Sequence, residues 1–234
     1  MSPDRRVAAA GFLAAAAALA VTTALADPRP PPDGGTVRHD PAALAELTAL
    51  LDAGDRGSWV VEYDYRRVLA DGRATGARVT HARGDTVRIT RDATSAEVVA
   101  GGARYHCTIV GEEVQCLASD PSGEEPLSRA EVVRTVVDLG AYAVTRLPGG
   151  TFAGEPARCF RVVAVRGVLA ALGAETVQCL AADGVPLRTR VTGAVRTDEW
   201  VAVAVERDPP PERYTALLRE LALSAGAPAT TPPG

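Results

Sequence analysis

The chain has 234 residues, is 47% hydrophobic and 23% charged, and carries a formal net charge of −4. A mildly acidic chain of this size argues against nucleic acid or anionic membrane as a partner, and it suffices for one domain with a proper core. It contains no Asn and no Lys, so N-glycosylation and lysine-nucleophile chemistry are excluded.

Arg5 and Arg6 precede an apolar run from Val7 to Val21, and Ala24-Leu25-Ala26 places small residues at a cleavage position. Residues 1–26 therefore read as a secretory signal peptide cleaved after Ala26. An uncleaved anchor is the alternative, although the alanine-rich core is only weakly hydrophobic. Processing would make the mature chain one charge more negative. Residues 27–39, rich in Pro and Gly, read as a flexible lead, and a single domain is expected over 40–223.

Asp40-Pro41 sets an N-cap before a first-turn proline, Leu44, Leu47, Leu50 and Leu51 recur at helical spacing, and Gly54 reads as the stop. From Ser58 the period becomes two. Trp59, Val61, Tyr63 and Tyr65 fall on one strand face and Glu62, Asp64 and Arg66 on the other. Asp71-Gly72 is a hairpin signal, after which Ala77, Val79 and His81 alternate with polar residues. Gly84-Asp85 separates a third strand with Val87 and Ile89, and a fourth follows around Glu97 to Ala100.

Gly111-Glu112 fits a two-residue turn with glycine first, and folding about it sets Cys107 opposite Cys116. Counting outward, Val110/Glu113 is a hydrogen-bonded pair, Ile109/Val114 is not, and Cys107/Cys116 falls at a non-hydrogen-bonded position whose Cα spacing of about 4.5 Å suits a disulfide. Cys107, Ile109, Val114 and Cys116 should share one face. His106, Thr108, Glu113 and Gln115 should share the other.

Ser128 and Glu131 form a capping box, with Leu127 and Val132 as its staple, opening an apolar helix through Val132, Val133, Val136, Val137 and Leu139 to Gly140. Strands are expected at Cys159 to Val165, Glu175 to Leu180, Val185 to Thr192 and Trp200 to Arg207, where Val201, Val203 and Val205 make an apolar face. A last helix follows the prolines at 209–211, with Tyr214, Leu217, Leu218 and Leu221 on one side. Residues 224–234 read as a disordered tail.

The four cysteines, Cys107, Cys116, Cys159 and Cys179, are even in number in an exported chain and include no C-x-x-C pair, which favours disulfides over metal or redox chemistry. None of the histidines, His39, His81 and His106, has metal-ligand spacing to another or to a cysteine. His39 and His106 read as surface residues and His81 as a core or cavity-wall residue. No nucleophile elbow, P-loop or dinucleotide fingerprint occurs, so no catalytic residue, cofactor or metal is assigned. Glu62 and Asp64 read as a solvated face, and the apolar loop Gly167 to Gly173 reads either as core or as a mouth flap carrying Val168, Leu169 and Leu172.

The segments Thr151-Phe152-Ala153-Gly154-Glu155-Pro156-Ala157-Arg158-Cys159-Phe160-Arg161-Val162 and Cys179-Leu180-Ala181-Ala182-Asp183-Gly184-Val185-Pro186-Leu187-Arg188 resemble a pattern in secreted LolA-like proteins, where such motifs lie on neighbouring strands. The close match covers about forty residues and the rest only by element order. The resemblance implies an α+β fold: a strongly curved antiparallel sheet forming an open half-barrel around two or three helices. It further implies a non-enzymatic carrier or binder of a hydrophobic ligand, such as a lipid or lipoprotein acyl chain, in the cell envelope or secreted. The alternative is an envelope sensor or protein-interaction domain with an envelope protein partner. Together with the strand faces it suggests a cavity wall of Trp59, Val61, Tyr63, Tyr65, Val79, Val87, Ile89, Val201, Val203 and Val205. No lipobox cysteine is present, so lipid attachment is not implied.

The disulfides expected are Cys107–Cys116 and Cys159–Cys179, each joining neighbouring strands and each contributing roughly 2.5 to 3.5 kcal/mol in the chain-entropy picture. Non-reducing peptide mapping checks the pairing, and a Cys107–Cys159 peptide would exclude the hairpin register.

Overall fold

A computed structural model describes residues 38–119, 127–165 and 172–223. The leader, the lead up to residue 37, Val168, Leu169 and the tail 224–234 lie outside the described residues. The element order is α1 (Pro41–Arg56), β1 (Trp59–Leu69), β2 (Ala74–Arg83), β3 (Val87–Arg91), β4 (Ser95–Ala100), β5 (Ala103–Val110), β6 (Glu113–Ser119), α2 (Arg129–Asp138), β7 (Tyr142–Phe152), β8 (Glu155–Ala164), β9 (Glu175–Leu180), β10 (Pro186–Thr192), β11 (Arg196–Arg207) and α3 (Pro211–Glu220). The strands form one antiparallel sheet of 11 strands in the order β6-β5-β4-β3-β2-β1-β11-β10-β9-β8-β7. Two meanders thus meet where β1 pairs β11. The sheet does not close, and the fold is the expected open half-barrel of α+β class.

Cross-strand partners share a face. Phe160, Gln178, Thr189, Trp200, Tyr65 and Ala77 are successive partners across the sheet, so α1 and α2, which pack on Phe160 and Val162, occupy the same face as Trp59, Val61, Tyr63 and Tyr65. α3 packs on the opposite face, over Val60, Ala82, Ile89 and Val98. Two helices therefore cover one face, and the third is on the other. The chain reverses at Asp208, with φ of 46° and its N–H bonded to Ser58 O, and the prolines then deliver Tyr214, Leu217 and Leu218 to that outer cluster.

The β5–β6 hairpin has the expected register, with Val110 opposite Glu113, Ile109 opposite Val114, and Cys107 opposite Cys116. Gly111 has φ of 62° and Glu112 is not in the left-handed region, as a type II′ turn requires. Both disulfides are present, Cys107–Cys116 and Cys159–Cys179, each with Cα atoms 4.0 Å apart.

Several expectations are corrected. Gly54 does not end α1, which runs to Arg56; it is buried inside the helix because α1 approaches the β9–β10 turn backbone to backbone. A Cβ on Gly54 would lie 2.2 Å from Gly184 O, and one on Gly184 would lie 1.9 Å from Leu50 O. Leu139 is 76% exposed, since α2 stops at Asp138 and Gly140, with φ of 68°, turns the chain into β7. Leu127 stays 59% exposed rather than stapled down. The 11-residue strand β7, for which no strand was expected, includes Pro148-Gly149-Gly150, residues unfavourable in a strand interior. They are tolerated because β7 is an edge strand with a register shift between Leu147 and Gly150.

The lead is also ordered at its end. Asp40 N–H donates to Val144 O at 2.8 Å, and Val144 N–H donates to His39 Nδ1 at 3.2 Å, which covers part of the β7 edge. The other edge, β6, has no such cover among the described residues, and Val110 and Leu117 of its hairpin are 70% and 76% exposed.

Gly184 has φ of 82° as well as no room for a side chain, so Gly184→Ala is expected to lower stability by about 2–4 kcal/mol, combining overpacking with backbone strain. Urea unfolding measures it. Gly72→Ala is the control, with φ of 86° but open space, and should cost about 1 kcal/mol or slightly more.

Candidate functional site

Between the α1–α2 pair and strands β8–β10 lies a cleft of about 400 Å³, within the range of small-ligand sites. α1 contributes Leu51; α2 and its lead-in contribute Leu127, Arg129, Val132 and Val133. The sheet contributes Val162, Thr176, Gln178, Thr189 and Val191, and Leu172-Gly173 stands beside them.

Local chemistry fixes these positions. Ser128 Oγ accepts from Glu131 N–H, and Ser128 N–H donates to Glu131 Oε2 at 2.7 Å, so the expected capping box starts α2 at the cleft. Arg129 Nε donates to Asp55 Oδ1 at 2.8 Å, and Arg134 pairs with Asp52 at 2.5 Å, which ties α2 to α1. Tyr142, buried on β7, donates to Gly173 O at 3.1 Å and accepts from Leu172 N–H at 2.8 Å. Burial raises its phenol pKa, so it remains a donor at neutral pH. Thr176 Oγ1 donates to Leu172 O at 2.6 Å. Leu172, one of the residues expected at the mouth, is thus anchored at the cleft from two sides. The Gln178 Oε1 atom is buried and has no hydrogen-bond partner.

The residues expected to form a cavity wall are placed elsewhere. Trp59, Val61, Tyr63, Tyr65 and Val79 do come together, but in a packed cluster with Leu187 and Ala202, and none lines the cleft. Ile89 and Val87 lie in the outer cluster under α3. The turn between β2 and β3 sets this parity, because Ala82, not Val79, shares a face with Ile89. Val201, Val203 and Val205 do not share one face. A bulge at Val203 makes Tyr63 oppose Ala202 and Tyr65 oppose Trp200, so only Val205 joins the aromatic cluster.

That cluster has a polar boundary. Tyr63 donates to Pro186 O at 2.6 Å, and burial keeps its hydroxyl protonated far above the ordinary phenol range. Asp198, only 5% exposed, accepts from Tyr65 and from Arg67 Nε, each at 2.6 Å, and pairs with Arg196 at 2.9 Å. The His81 ring lies 4.8 Å from that of Tyr63 and 6.2 Å from that of Trp200. His81 Nε2 meets Arg91 O at 2.7 Å, so that nitrogen carries the hydrogen. The polar tips of Tyr63, Tyr65 and His81 are thus paired within the protein. Among the described residues no group of His, Cys, Asp and Glu is placed to hold a metal ion.

Sequence reasoning missed the cleft. The available signal was Thr176 and Gln178 on β9 with Thr189 on β10, polar residues on the strand face that the apolar helices α1 and α2 cover.

No protein-family model matches the sequence, and no curated protein matches it. Similar solved structures include MucB of Pseudomonas aeruginosa in complex with MucA, at 18% identity and TM-score 0.40, covering 74% of this chain and 60% of that one. They also include a LolA superfamily protein from Nitrosomonas europaea, at 13% identity and TM-score 0.29, covering 72% of this chain and 97% of that one. The Mycobacterium tuberculosis lipoprotein LppX is similar at 12% identity and TM-score 0.37, covering 73% and 97%. The chain spans about 60% of the length of the MucB chain. At such identities and TM-scores the likeness carries no argument about function.

Burial lowers the His81 pKa from 6.5 to about 4, so the folded protein holds it neutral where the unfolded chain takes up a proton. Its contribution is present above pH 6.5 and is lost as pH falls toward 4, with a slope of at most about 1.4 kcal/mol per pH unit. Urea unfolding between pH 7 and 4.5 should show that decline, and His81→Gln should flatten it.

Proposed function

We propose that the protein is an extracytoplasmic, non-enzymatic binder or carrier of a hydrophobic ligand, an acyl chain of a lipid or lipoprotein, seated between α1–α2 and β8–β10. The observation that carries this reading is the cleft itself: about 400 Å³ with Leu51, Val132, Val133, Val162 and Val191 along it, left between helices and sheet. Each methylene moved from water into such a lining contributes about 0.8 kcal/mol, so a medium-length chain binds with useful affinity after the costs of association. The leader expected at 1–26 and the two disulfides support an oxidising compartment. No helix among the described residues is long and apolar enough to cross a membrane.

A second reading, an envelope sensor or protein-interaction domain, is favoured by the β6 edge, which no other strand covers among the described residues, with Val110 and Leu117 exposed beside it. It would accord with retention of the N-terminal segment as an anchor. Sequencing the mature N-terminus of protein from its own host separates the two, since a start at Asp27 favours the carrier.

Val132→Trp and Thr189→Trp, which fill the cleft from its two walls, are expected to weaken binding of a fluorescent fatty-acid probe tenfold or more while cooperative melting is retained. Native protein that carries no lipid on extraction and binds no such probe would remove the carrier reading.

A further inference from the structure

The apolar lining alone does not say which end of a ligand goes where, but the charges at one end of the cleft do. Arg129 lines the cleft, and its guanidinium shares a single carboxylate with a second arginine. Asp55 Oδ1 lies 2.8 Å from both Nε and Nη2 of Arg129 and 3.1 Å from Arg83 Nη1. Two cations on one anion leave an excess positive charge, in a place where Asp55 and the Arg83 side chain are only 11% and 14% exposed.

The neighbouring acids are occupied. Glu131 is committed to the helix cap through Ser128 N–H, and Asp52 to Arg134. Arg129 Nη2 is buried and, although close to Asp55, makes no hydrogen bond of proper geometry. The Gln178 Oε1 atom, in the lining of the same cleft, is likewise buried and unpartnered. Gln178 Oε1 is a buried acceptor without a hydrogen-bond partner, a costly group to leave in the lining, while the Arg129 guanidinium of the same lining is ion-paired with Asp55 and its side chain stays 35% exposed.

We infer that the Arg129 end of the cleft is a headgroup subsite for an anion, carboxylate or phosphate, borne by an acyl chain lying along Val132, Val162 and Val191, with a hydrogen-bond donor of the same ligand meeting Gln178 Oε1. This rests on the acyl-binding reading of the cleft and adds to it a charge preference and a direction of insertion. A charge-assisted hydrogen bond in a partly dry site is the strong kind, and a discrimination of about tenfold against an uncharged analogue is expected.

The test titrates the full mature chain with parinaric acid, with its methyl ester, and with a lysophosphatidic acid in competition. Tighter binding of the acid than of the ester by about tenfold, declining with added salt and abolished by Arg129→Gln but kept by Arg129→Lys, supports the subsite. Arg129 also ties α2 to α1, so Gln178→Glu provides an independent variant. By placing a carboxylate in the lining it should bring the ratio of acid to ester affinity to one or below, whatever it does to either affinity alone. Competition by lysophosphatidic acid stronger than by the fatty acid would assign the anion as a phosphate, and the reverse as a carboxylate. Equal affinity for acid and ester overturns the subsite while the acyl-binding reading stands. Binding of neither probe overturns both.

Discussion

The rest of this structure depends on a contact with no side chain in it. Gly54 of α1 and Gly184 of the β9–β10 turn touch backbone to backbone, at a separation that no Cβ permits on either side. Trp59 Nε1 donates to Gly54 O at 3.0 Å and clamps the start of β1 to the same point. With the C-terminal half of α1 fixed there, Asp55 is delivered to Arg83 of β2 and to Arg129 of α2, and Asp52 to Arg134. One helix is thereby joined to both meanders and to the second helix. The cleft is the space that remains where α2, held away from the sheet by its attachment to α1, fails to reach β9 and β10.

The two parts of the covered face are packed on different principles. Around Tyr63 the side chains are large, their polar tips are paired, and the interior is filled. Asp198 holds that region together electrostatically, since removal of its charge would leave Arg67 and Arg196 facing each other. Around Gln178 the lining is of small and medium side chains, Val, Thr and Leu, with unpaired polar atoms among them. One sheet thus carries a cluster of large buried side chains beside a cleft.

Local signals were legible in the sequence and non-local ones were not. Asp40-Pro41, Ser128 with Glu131, and Gly111-Glu112 each specify a backbone geometry within a few residues, and each is found as read. The cysteine pairings followed from register and from the resemblance of the two motif segments. By contrast Gly54 looks like a stop until its partner 130 residues later is seen. Val201, Val203 and Val205 alternate correctly, yet a bulge that only the partner strand β1 reveals divides them. β7 contradicts its own composition because edge strands are exempt from the demand that every N–H be paired within the sheet. The cleft was invisible for a related reason, since it is defined by where two helices stop short of a sheet.

The unequal treatment of the sheet's two edges has a further consequence. β7 carries a proline, a register shift and the hydrogen bonds of His39 and Asp40, whereas β6 is a regular strand braced from behind by the Cys107–Cys116 bridge. Head-to-tail addition of strands would require β6 of one molecule to dock on β7 of the next, and β7 is obstructed. Among the described residues only β6 against β6 is unobstructed, and a contact of that kind is related by a two-fold axis and uses both such edges at once. Growth by strand addition through the described edges would therefore stop at a pair.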